Sequence, residues 1–284
     1  MTKPWLSVIT PSAGRRALVE RKLAALGRQT LGPDRIEMVL VDNACPEAVG
    51  DAVEAGQWPF RLRVLRSARR LSAADARMLA GEAATGRWLW LSDDDCEPAA
   101  DAAAIHLRRH ERERCVSVGS VRFVEPSGVR AWRAARPGFA QVTGVNTVLA
   151  RADLLAVRPH IVRLPRPYGG EDTALGLALA AAGLPIVGVP AAWVDHHGPD
   201  PRRGGDARKG FEAGFNATIL AAHYRHAAWA LGVHPLQLAL KRVAFGAPLL
   251  PLWRAVAART ADFEYAYYQG SRSAWRTQAP GRRA

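Results

Sequence analysis

Cysteine is scarce in this chain of 284 residues, with only Cys45, Cys96 and Cys115 present. The number is odd, and no two of them have the spacing of a zinc motif. This argues against a disulfide framework and against a cysteine-bound zinc ion. The simplest expectation is a protein of the reducing cytoplasm.

Long hydrophobic runs are also missing. The N-terminus passes directly into a strand-like run, without an apolar stretch of signal-peptide length. Residues 173–194 carry no charge and are numerous enough to span a bilayer, but Gly183, Pro185 and Pro190 interrupt them. We therefore predict a short helix and a strand in this segment rather than a transmembrane helix.

Acidic residues are outnumbered, with 26 Asp and Glu against 39 Lys and Arg, so the formal net charge is +13. Only four of the basic residues are Lys. Two explanations stay open: an anionic partner, or the Arg- and Ala-rich composition that a GC-rich genome produces. Hydrophobic residues make up 49% of the chain, which excludes global disorder.

The first two-thirds of the chain alternates strand-like and helix-like patterns. Apolar runs predict strands at residues 6–11, 36–42, 62–65 and 88–92, and helical spacing predicts helices at residues 17–29 and 72–84. This order predicts an α/β fold with a mostly parallel, doubly wound sheet flanked by helices. Helices at residues 211–231 and 235–259 follow. We therefore predict a domain of residues 1–205 and a C-terminal helical appendage of residues 206–284 with a basic tail.

Carboxylates follow two of the predicted strands. Asp42 ends the second strand, and Asp93, Asp94 and Asp95 follow the fourth. Ligands of doubly wound sheets bind outside the carboxyl ends of the strands. Three adjacent carboxylates favour a divalent cation, and alternate residues of an extended segment point the same way, so Asp93 and Asp95 would face one ion. An acidic turn that caps the next helix is the alternative.

Two further polar clusters occur later in the chain. Glu171 and Asp172 follow two glycines and begin a predicted helix. They are either a loop beside the metal that carries a general base, or acids that interact with the helix dipole. His196 and His197 follow an apolar run, where they supply a metal ligand or form an ordinary surface pair.

Taken in order, these segments resemble the family 2 glycosyltransferases, which have the GT-A fold. Residues 7–11 look like that family's first strand and nucleotide loop, and residues 39–43 look like its second strand. Residues 76–95 resemble the long central signature that ends in the DXD motif. Residues 170–183 resemble the ED-motif helix, and residues 190–197 resemble the strand after it.

The resemblance implies an inverting transfer of one sugar from a nucleoside-diphosphate sugar, with UDP- and dTDP-sugars as the first expectation. It implies Mg²⁺ or Mn²⁺ as the cofactor, held by Asp93 and Asp95 with His196 or His197. Asp172 would be the general base, with Glu171 positioning it or binding the acceptor. The residues implied in binding the nucleotide-sugar are Pro11, Ser12, Asp42, Arg77, Asp93 and Asp94.

The chain departs from the family pattern at Met78 and Ala80, where Asn and Gly are common. The Gln-x-x-Arg-Trp motif of the processive synthases does not follow, which argues for transfer of a single sugar. The acceptor stays open among a glycan, a lipid-linked molecule, a carrier-bound group and a secondary metabolite.

Two other functions remain as alternatives. A nucleotidyltransferase also combines an α/β sheet with acidic metal ligands, and Gly14, Arg15 and Arg16 weakly resemble its phosphate loop. A non-enzymatic basic module that binds membrane or nucleic acid is the other. The chain contains no recognised nucleic-acid motif, so we expect no nucleic acid. The C-terminal helices are expected to contact the inner face of an anionic membrane or an acidic partner.

Overall fold

The computed structural model describes residues 3–47, 49–198, 206–246 and 249–278. The chain forms two compact units. The first comprises Met1–Ile161 and Leu175–Pro199, and the second comprises Val162–Ala174 and Asp200–Ala284. The second unit therefore includes a short stretch that lies well before residue 206, where we expected the C-terminal part to begin.

The first unit is built on one sheet, which contains nine strands among the described residues. The strands are Leu6–Ser12 (β1), Ile36–Asn43 (β2), Arg61–Ser67 (β3), Trp88–Leu91 (β4), Cys96–Pro98 (β5), Val116–Glu125 (β6), Gly128–Trp132 (β7), Thr147–Ala150 (β8) and Ile186–His196 (β9). Their order across the sheet is β3-β2-β1-β4-β8-β6-β9-β5, and β7 pairs with β6.

The two halves of the sheet differ in strand direction. β1 is parallel to β2 and β4, and β2 is parallel to β3. In the other half β8 is antiparallel to both β4 and β6, while β9 is parallel to β6 and antiparallel to β5. The α/β class is confirmed, but the sheet is mixed, and the expected parallel arrangement holds for its first half.

Burial explains the strand patterns. All eight residues of β2 are buried, which is typical of a central parallel strand covered on both faces. β3 lies at the edge of the sheet, and Arg61, Arg63 and Arg66 are exposed along it. Charged side chains on an edge strand discourage pairing with other chains.

Helices cover both faces of the sheet in the first unit. They are Arg16–Gly27 (α1), Val49–Glu54 (α2), Ala73–Ala83 (α3), Ala102–His110 (α4) and Arg151–Val157 (α5), followed by Glu171–Ala181 (α6), which belongs to this unit from Leu175 onward. Successive strand residues point to opposite faces. Accordingly, Leu6 and Val8 of β1 belong to one hydrophobic cluster together with α1, and Ile9 belongs to a second cluster together with α3. The Ser72 side chain accepts the N–H of Asp75 at 3.1 Å and caps α3, as predicted.

The second unit contains the helices Ala207–His223 (α7), Pro235–Ala244 (α8) and Leu250–Gln278 (α9). The backbone at Ala257 is not helical, with φ −152° and ψ 65°, so α9 consists of two segments. α7 and α9 pack very closely, because a Cβ at Gly214 would lie 2.0 Å from the Tyr267 carbonyl oxygen and one at Gly270 would lie 2.0 Å from that of Phe211.

The helix boundaries correct three predictions for this part of the chain. The helix expected at residues 211–231 ends at His223, and the one expected at residues 235–259 is broken after Ala244. The expected tail is helical as far as Gln278, and Ala274 within it is fully buried. Residues 279–284 of that tail lie outside the described residues.

Candidate active site

The three aspartates follow β4 in a tight turn. The N–H of Cys96 donates to the Asp93 carbonyl oxygen at 3.1 Å, which closes a four-residue turn before β5. The expectation of an extended segment, with Asp93 and Asp95 facing the same way, is therefore wrong. Asp93 faces Arg77, whereas Asp94 and Asp95 both contact Arg15.

Arg15 joins the two neighbouring carboxylates. Its Nη1 donates to Asp95 Oδ2 at 2.6 Å and its Nη2 donates to Asp94. Asp94 also accepts a hydrogen bond from Ser12 Oγ at 2.8 Å. Burial raises the pKa of Asp94 to about 6, and the charges of Asp95 and Asp93 act in the same direction, against Arg15 and Ser12. Carboxylates crowded together away from water favour a bound cation.

A buried lysine on α1 supports the acidic turn. Lys22 is only 1% exposed, and its Nζ donates to the carbonyl oxygens of Ser92, Asp93 and Cys96 at 3.2, 3.0 and 3.3 Å. Burial lowers the pKa of Lys22, although the nearby acidic groups oppose this. Lys22 therefore fixes the backbone of the turn and brings positive charge close to its carboxylates.

We expect Lys22→Met to lower the free energy of unfolding by about 3 kcal/mol. Methionine fills similar space but leaves the buried carbonyl groups and the acidic turn without their partner. Urea denaturation followed by circular dichroism measures the loss. Arg21→Met is the matched control, because Arg21 forms an exposed ion pair with Glu97, and such pairs contribute about 1 kcal/mol or less. Equal losses in the two variants would contradict a supporting role for Lys22.

His196, the last residue of β9, faces the third aspartate. Its Nε2 lies 3.6 Å from Asp95 Oδ1. Asp95, Cys96 and His196 each offer one ligand atom, and these atoms lie within 4.8 Å of one another. In the part of the chain that the structure describes, His196 Nδ1 is buried without a hydrogen-bond partner.

The chemistry of this cluster fits Mn²⁺ or Mg²⁺. A carboxylate oxygen is the ligand that such cations prefer, and a neutral imidazole is a common metal ligand in proteins. Burial raises the pKa of the Cys96 thiol well above its usual value, which disfavours the thiolate that a metal would need. Of these three residues, Asp95 and His196 therefore fit such a cation better than Cys96 does.

Three other predicted site residues have different partners. His197 Nε2 lies 3.2 Å from Glu97 Oε2, outside the cluster around Asp95. Arg77, buried on α3, donates from Nη2 to Asp93 Oδ1 at 2.7 Å. Of the four predicted metal ligands, the structure thus brings Asp95 and His196 together and places Asp93 and His197 elsewhere.

Three predicted donor-binding residues lie at the carboxyl ends of two neighbouring parallel strands: Pro11, Ser12 and Asp42. Asp42 Oδ1 accepts the N–H of Cys45 at 3.1 Å, and its Oδ2 accepts the N–H of Gly50 at 2.8 Å. Burial acts to raise the pKa of Asp42, but these hydrogen bonds and the charge of Arg66 outweigh it and lower the pKa. Asp42 therefore holds the loop after β2, and its contact with a nucleoside stays a prediction.

Glu171 and Asp172 are the first two residues of α6, and this first turn falls in the second unit. The loop before it is held by Asn216 of α7, which is fully buried. Asn216 Oδ1 accepts the N–H of Arg166 at 3.2 Å. Its Nδ2 lies 3.0, 3.2 and 2.7 Å from the carbonyl oxygens of Arg166, Tyr168 and Gly169.

The two glycines of this loop are required by its conformation. Gly169 and Gly170 have φ angles of 80° and 96°, a region of backbone conformation that residues with a Cβ atom rarely adopt. A Cβ at Gly169 would also lie 3.0 Å from the Ala213 Cβ of α7. The segment is therefore a closely packed loop.

Two supporting residues, Lys22 and Asn216, are not among the predicted site residues. Lys22 shares the buried face of α1 with Val19, Leu23 and Leu26, so a lysine at a core position of a helix was the available signal. Asn216 gave a weaker signal, because a single asparagine in an apolar helix is unremarkable without knowledge of the loop beside it.

Comparison with known proteins identifies a family and two curated relatives. The family model for glycosyl transferase family 2 matches residues 7–168, more than half of the chain. An uncharacterized glycosyltransferase of Haemophilus influenzae is 35% identical over 92 residues, which are 32% of this chain and 30% of that protein. Validoxylamine A glucosyltransferase of Streptomyces hygroscopicus subsp. limoneus is 38% identical over 61 residues, which are 22% of this chain and 13% of that protein. The chain thus matches less than a third of the length of these curated relatives.

Solved structures show a similar fold along nearly the whole chain. The mannosyltransferase PcManGT from Pyrobaculum calidifontis, in complex with GDP-Man and Mn²⁺, has a TM-score of 0.62 and 20% identity, covering 98% of this chain and 89% of its own. S. aureus TarS 1–349 has a TM-score of 0.57 and 17% identity, with coverages of 98% and 93%. These likenesses confirm the predicted GT-A fold. The family-model match over more than half of the chain shows that the chain belongs to glycosyl transferase family 2.

Proposed function

We propose that this protein transfers one sugar from a nucleoside-diphosphate sugar to an acceptor hydroxyl, with inversion at the anomeric carbon. The observation that carries the proposal is the pairing of Asp95 with His196 at the carboxyl edge of the sheet, in a chain of family 2. The free thiols of its three cysteines agree with a reaction in the cytoplasm.

The donor is proposed to bind along the carboxyl ends of β1, β2 and β4. Mg²⁺ or Mn²⁺ held by Asp95 and His196 would neutralise the charge that develops on the leaving nucleoside diphosphate. Pro11, Ser12 and Asp42 would contact the nucleoside from the ends of β1 and β2. The remaining contacts to the nucleotide-sugar are assigned to the acidic turn and the arginine paired with it: Asp93, Asp94 and Arg77.

The acceptor is activated in this proposal by a carboxylate at the start of α6. Asp172 accepts the proton of the acceptor hydroxyl while the hydroxyl oxygen forms its bond to the anomeric carbon. The bond from that carbon to the diphosphate oxygen breaks, and its electron pair leaves with the nucleoside diphosphate. The configuration inverts because attack and departure occur on opposite faces of the carbon. Glu171 positions Asp172 or binds the acceptor.

The donor class is tested by thermal shift of the purified protein against UDP-, dTDP- and GDP-sugars, with and without Mn²⁺. UDP- and dTDP-sugars are the proposed donors, and GDP-sugars are included because the similar mannosyltransferase was solved with GDP-Man. A ligand that binds the native state raises Tm. A rise that needs Mn²⁺ and one donor class is the expected result, whereas a folded protein that no donor stabilises would contradict the proposal. Release of pyrophosphate instead of nucleoside diphosphate would favour nucleotidyl transfer.

We expect Arg15→Ala to tighten Mn²⁺ binding about fivefold in the absence of donor. The guanidinium group occupies oxygen atoms of Asp94 and Asp95, and a half-exposed ion pair contributes about 1 kcal/mol. Titration calorimetry with Mn²⁺ measures the change. Arg16→Ala is the control, since Arg16 pairs with Glu20 on the surface at 2.8 Å. Unchanged or weaker Mn²⁺ binding in Arg15→Ala would show that the arginine does not compete with the cation.

A further inference from the structure

The second unit exposes an unusual amount of apolar side chain over a short stretch. Six residues are between 51% and 85% exposed: Leu236, Leu240 and Val243 on α8, and Leu252, Trp253 and Val256 on the first segment of α9. We name these six residues the 236–256 surface. Isolated exposed apolar residues are ordinary, but a group of this size marks an interaction site.

The spacing within the 236–256 surface is helical. Leu236, Leu240 and Val243 follow an i, i+4, i+7 pattern, which places them on one side of α8. On α9, Val256 lies four residues after Leu252 and three after Trp253, so these three also lie on one side of their helix. Residues 251–260 are all exposed, so this segment has no buried face. A short helix gains most of its stability by packing an apolar face, which indicates that something covers this one.

The α8 helix contacts the later part of α9 through side chains that do not belong to the 236–256 surface. Lys241 Nζ lies 3.1 Å from Glu264 Oε2 and 4.6 Å from the ring centre of Tyr267. The rings of Phe245 and Tyr265 are 6.2 Å apart. The apolar residues of α8 therefore remain available after the helix has packed within its own unit.

The charged residues within the stretch that carries this surface are all basic. Residues 235–260 contain Lys241, Arg242, Arg254 and Arg259 and no acidic residue. Lys241 and Arg254 pair with Glu264 and Asp262. A second copy of the chain would bring arginines against arginines, which is unfavourable. An anionic surface with an apolar layer beneath it matches both the charge and the exposed side chains.

We propose that the 236–256 surface binds the interface of an anionic phospholipid bilayer, with its apolar side chains below the headgroups and its basic side chains among them. None of the helices within the described residues combines the length and the hydropathy of a transmembrane span. This inference does not depend on the proposed sugar transfer, since lipid binding is measured without donor or acceptor.

The test is cosedimentation of the full chain with vesicles of phosphatidylcholine alone or with added phosphatidylglycerol. We expect binding only to the anionic vesicles, and weaker binding at high salt. Trp253→Ser, and Arg242→Glu combined with Arg259→Glu, should each weaken binding about tenfold or more. The matched controls are Trp275→Ser and Arg276→Glu, which change exposed residues of α9 outside the 236–256 surface and should bind like the unaltered protein.

Three outcomes would overturn the proposal. The first is no binding of the unaltered protein to anionic vesicles. The second is a loss of vesicle binding in the variant with Arg242→Glu and Arg259→Glu but no loss in Trp253→Ser, because the contact would then depend on charge alone. The third is self-association that Trp253→Ser abolishes, measured by light scattering in the absence of lipid, because this would assign the surface to a second copy of the chain.

Discussion

Asp172→Asn should lower kcat by about three orders of magnitude and leave the Kd of the donor within a factor of about two. Asparagine keeps the size and polarity of the side chain but cannot accept the proton of the attacking hydroxyl, and general bases contribute about 10²- to 10⁴-fold. Because the donor contacts are assigned to other residues, the lost energy belongs to the transition state and not to donor binding. Release of nucleoside diphosphate measures kcat, and calorimetry measures donor affinity.

The control for this prediction is Glu171→Gln, the neighbouring change in the same helical turn. If Glu171 positions the base or binds the acceptor, its variant should lose less kcat than Asp172→Asn, or show its loss mainly in the KM of the acceptor. Turnover of Asp172→Asn within tenfold of the unaltered enzyme would refute the assignment. A reversed order of the two effects would assign the base to Glu171.

Asp95→Ala should remove the dependence of donor binding on Mn²⁺ and lower kcat/KM by about a hundredfold or more. Asp95 supplies the carboxylate of the pair with His196, and a site left with one imidazole binds Mn²⁺ weakly. Loss of the cation leaves the charge of the leaving diphosphate poorly neutralised. Mn²⁺ titration and donor titration, each with and without the chelator EDTA, separate the two effects.

Glu97→Ala is the matched control for Asp95→Ala. Glu97 is a carboxylate two residues further on, and it pairs with Arg21 and His197 rather than with the predicted ligands. We expect the Glu97→Ala variant to bind Mn²⁺ as tightly as the unaltered protein does. Circular dichroism should show that both variants are folded. Unchanged Mn²⁺ dependence in Asp95→Ala would exclude this aspartate as a ligand.

The sequence predicts the first half of the fold well, because short apolar stretches mark its strands and helical patterns separate them. β2 is an example, with every residue buried on a central strand. The second half is harder to predict. β8 is only four residues long, and its antiparallel pairing with β4 and β6 depends on contacts between segments far apart in the chain. No local sequence pattern indicates such strand pairing.

The candidate site is predicted in its composition but not in its geometry. The acidic triplet is obvious in the sequence, yet the roles of its members depend on whether the backbone is extended or turned. The hydrogen bond from Cys96 to Asp93 closes a turn and separates Asp93 from Asp95. Lys22 enables this turn from a helix seventy residues earlier. The contact of His196 with Asp95 also follows from tertiary structure, namely the pairing of β9 with β5.

The buried amide of Asn216 limits how this chain can be rebuilt. A shortened chain that ended before α7 would lose the hydrogen bonds that hold the loop of residues 166–169. That loop leads directly into Glu171 and Asp172, so the proposed base would lose its support even if the sheet still folded. The C-terminal helices therefore cannot be exchanged as an independent unit. An exchange of these helices between relatives, for example to alter acceptor choice, would have to transfer Asn216 and its loop partners as one piece.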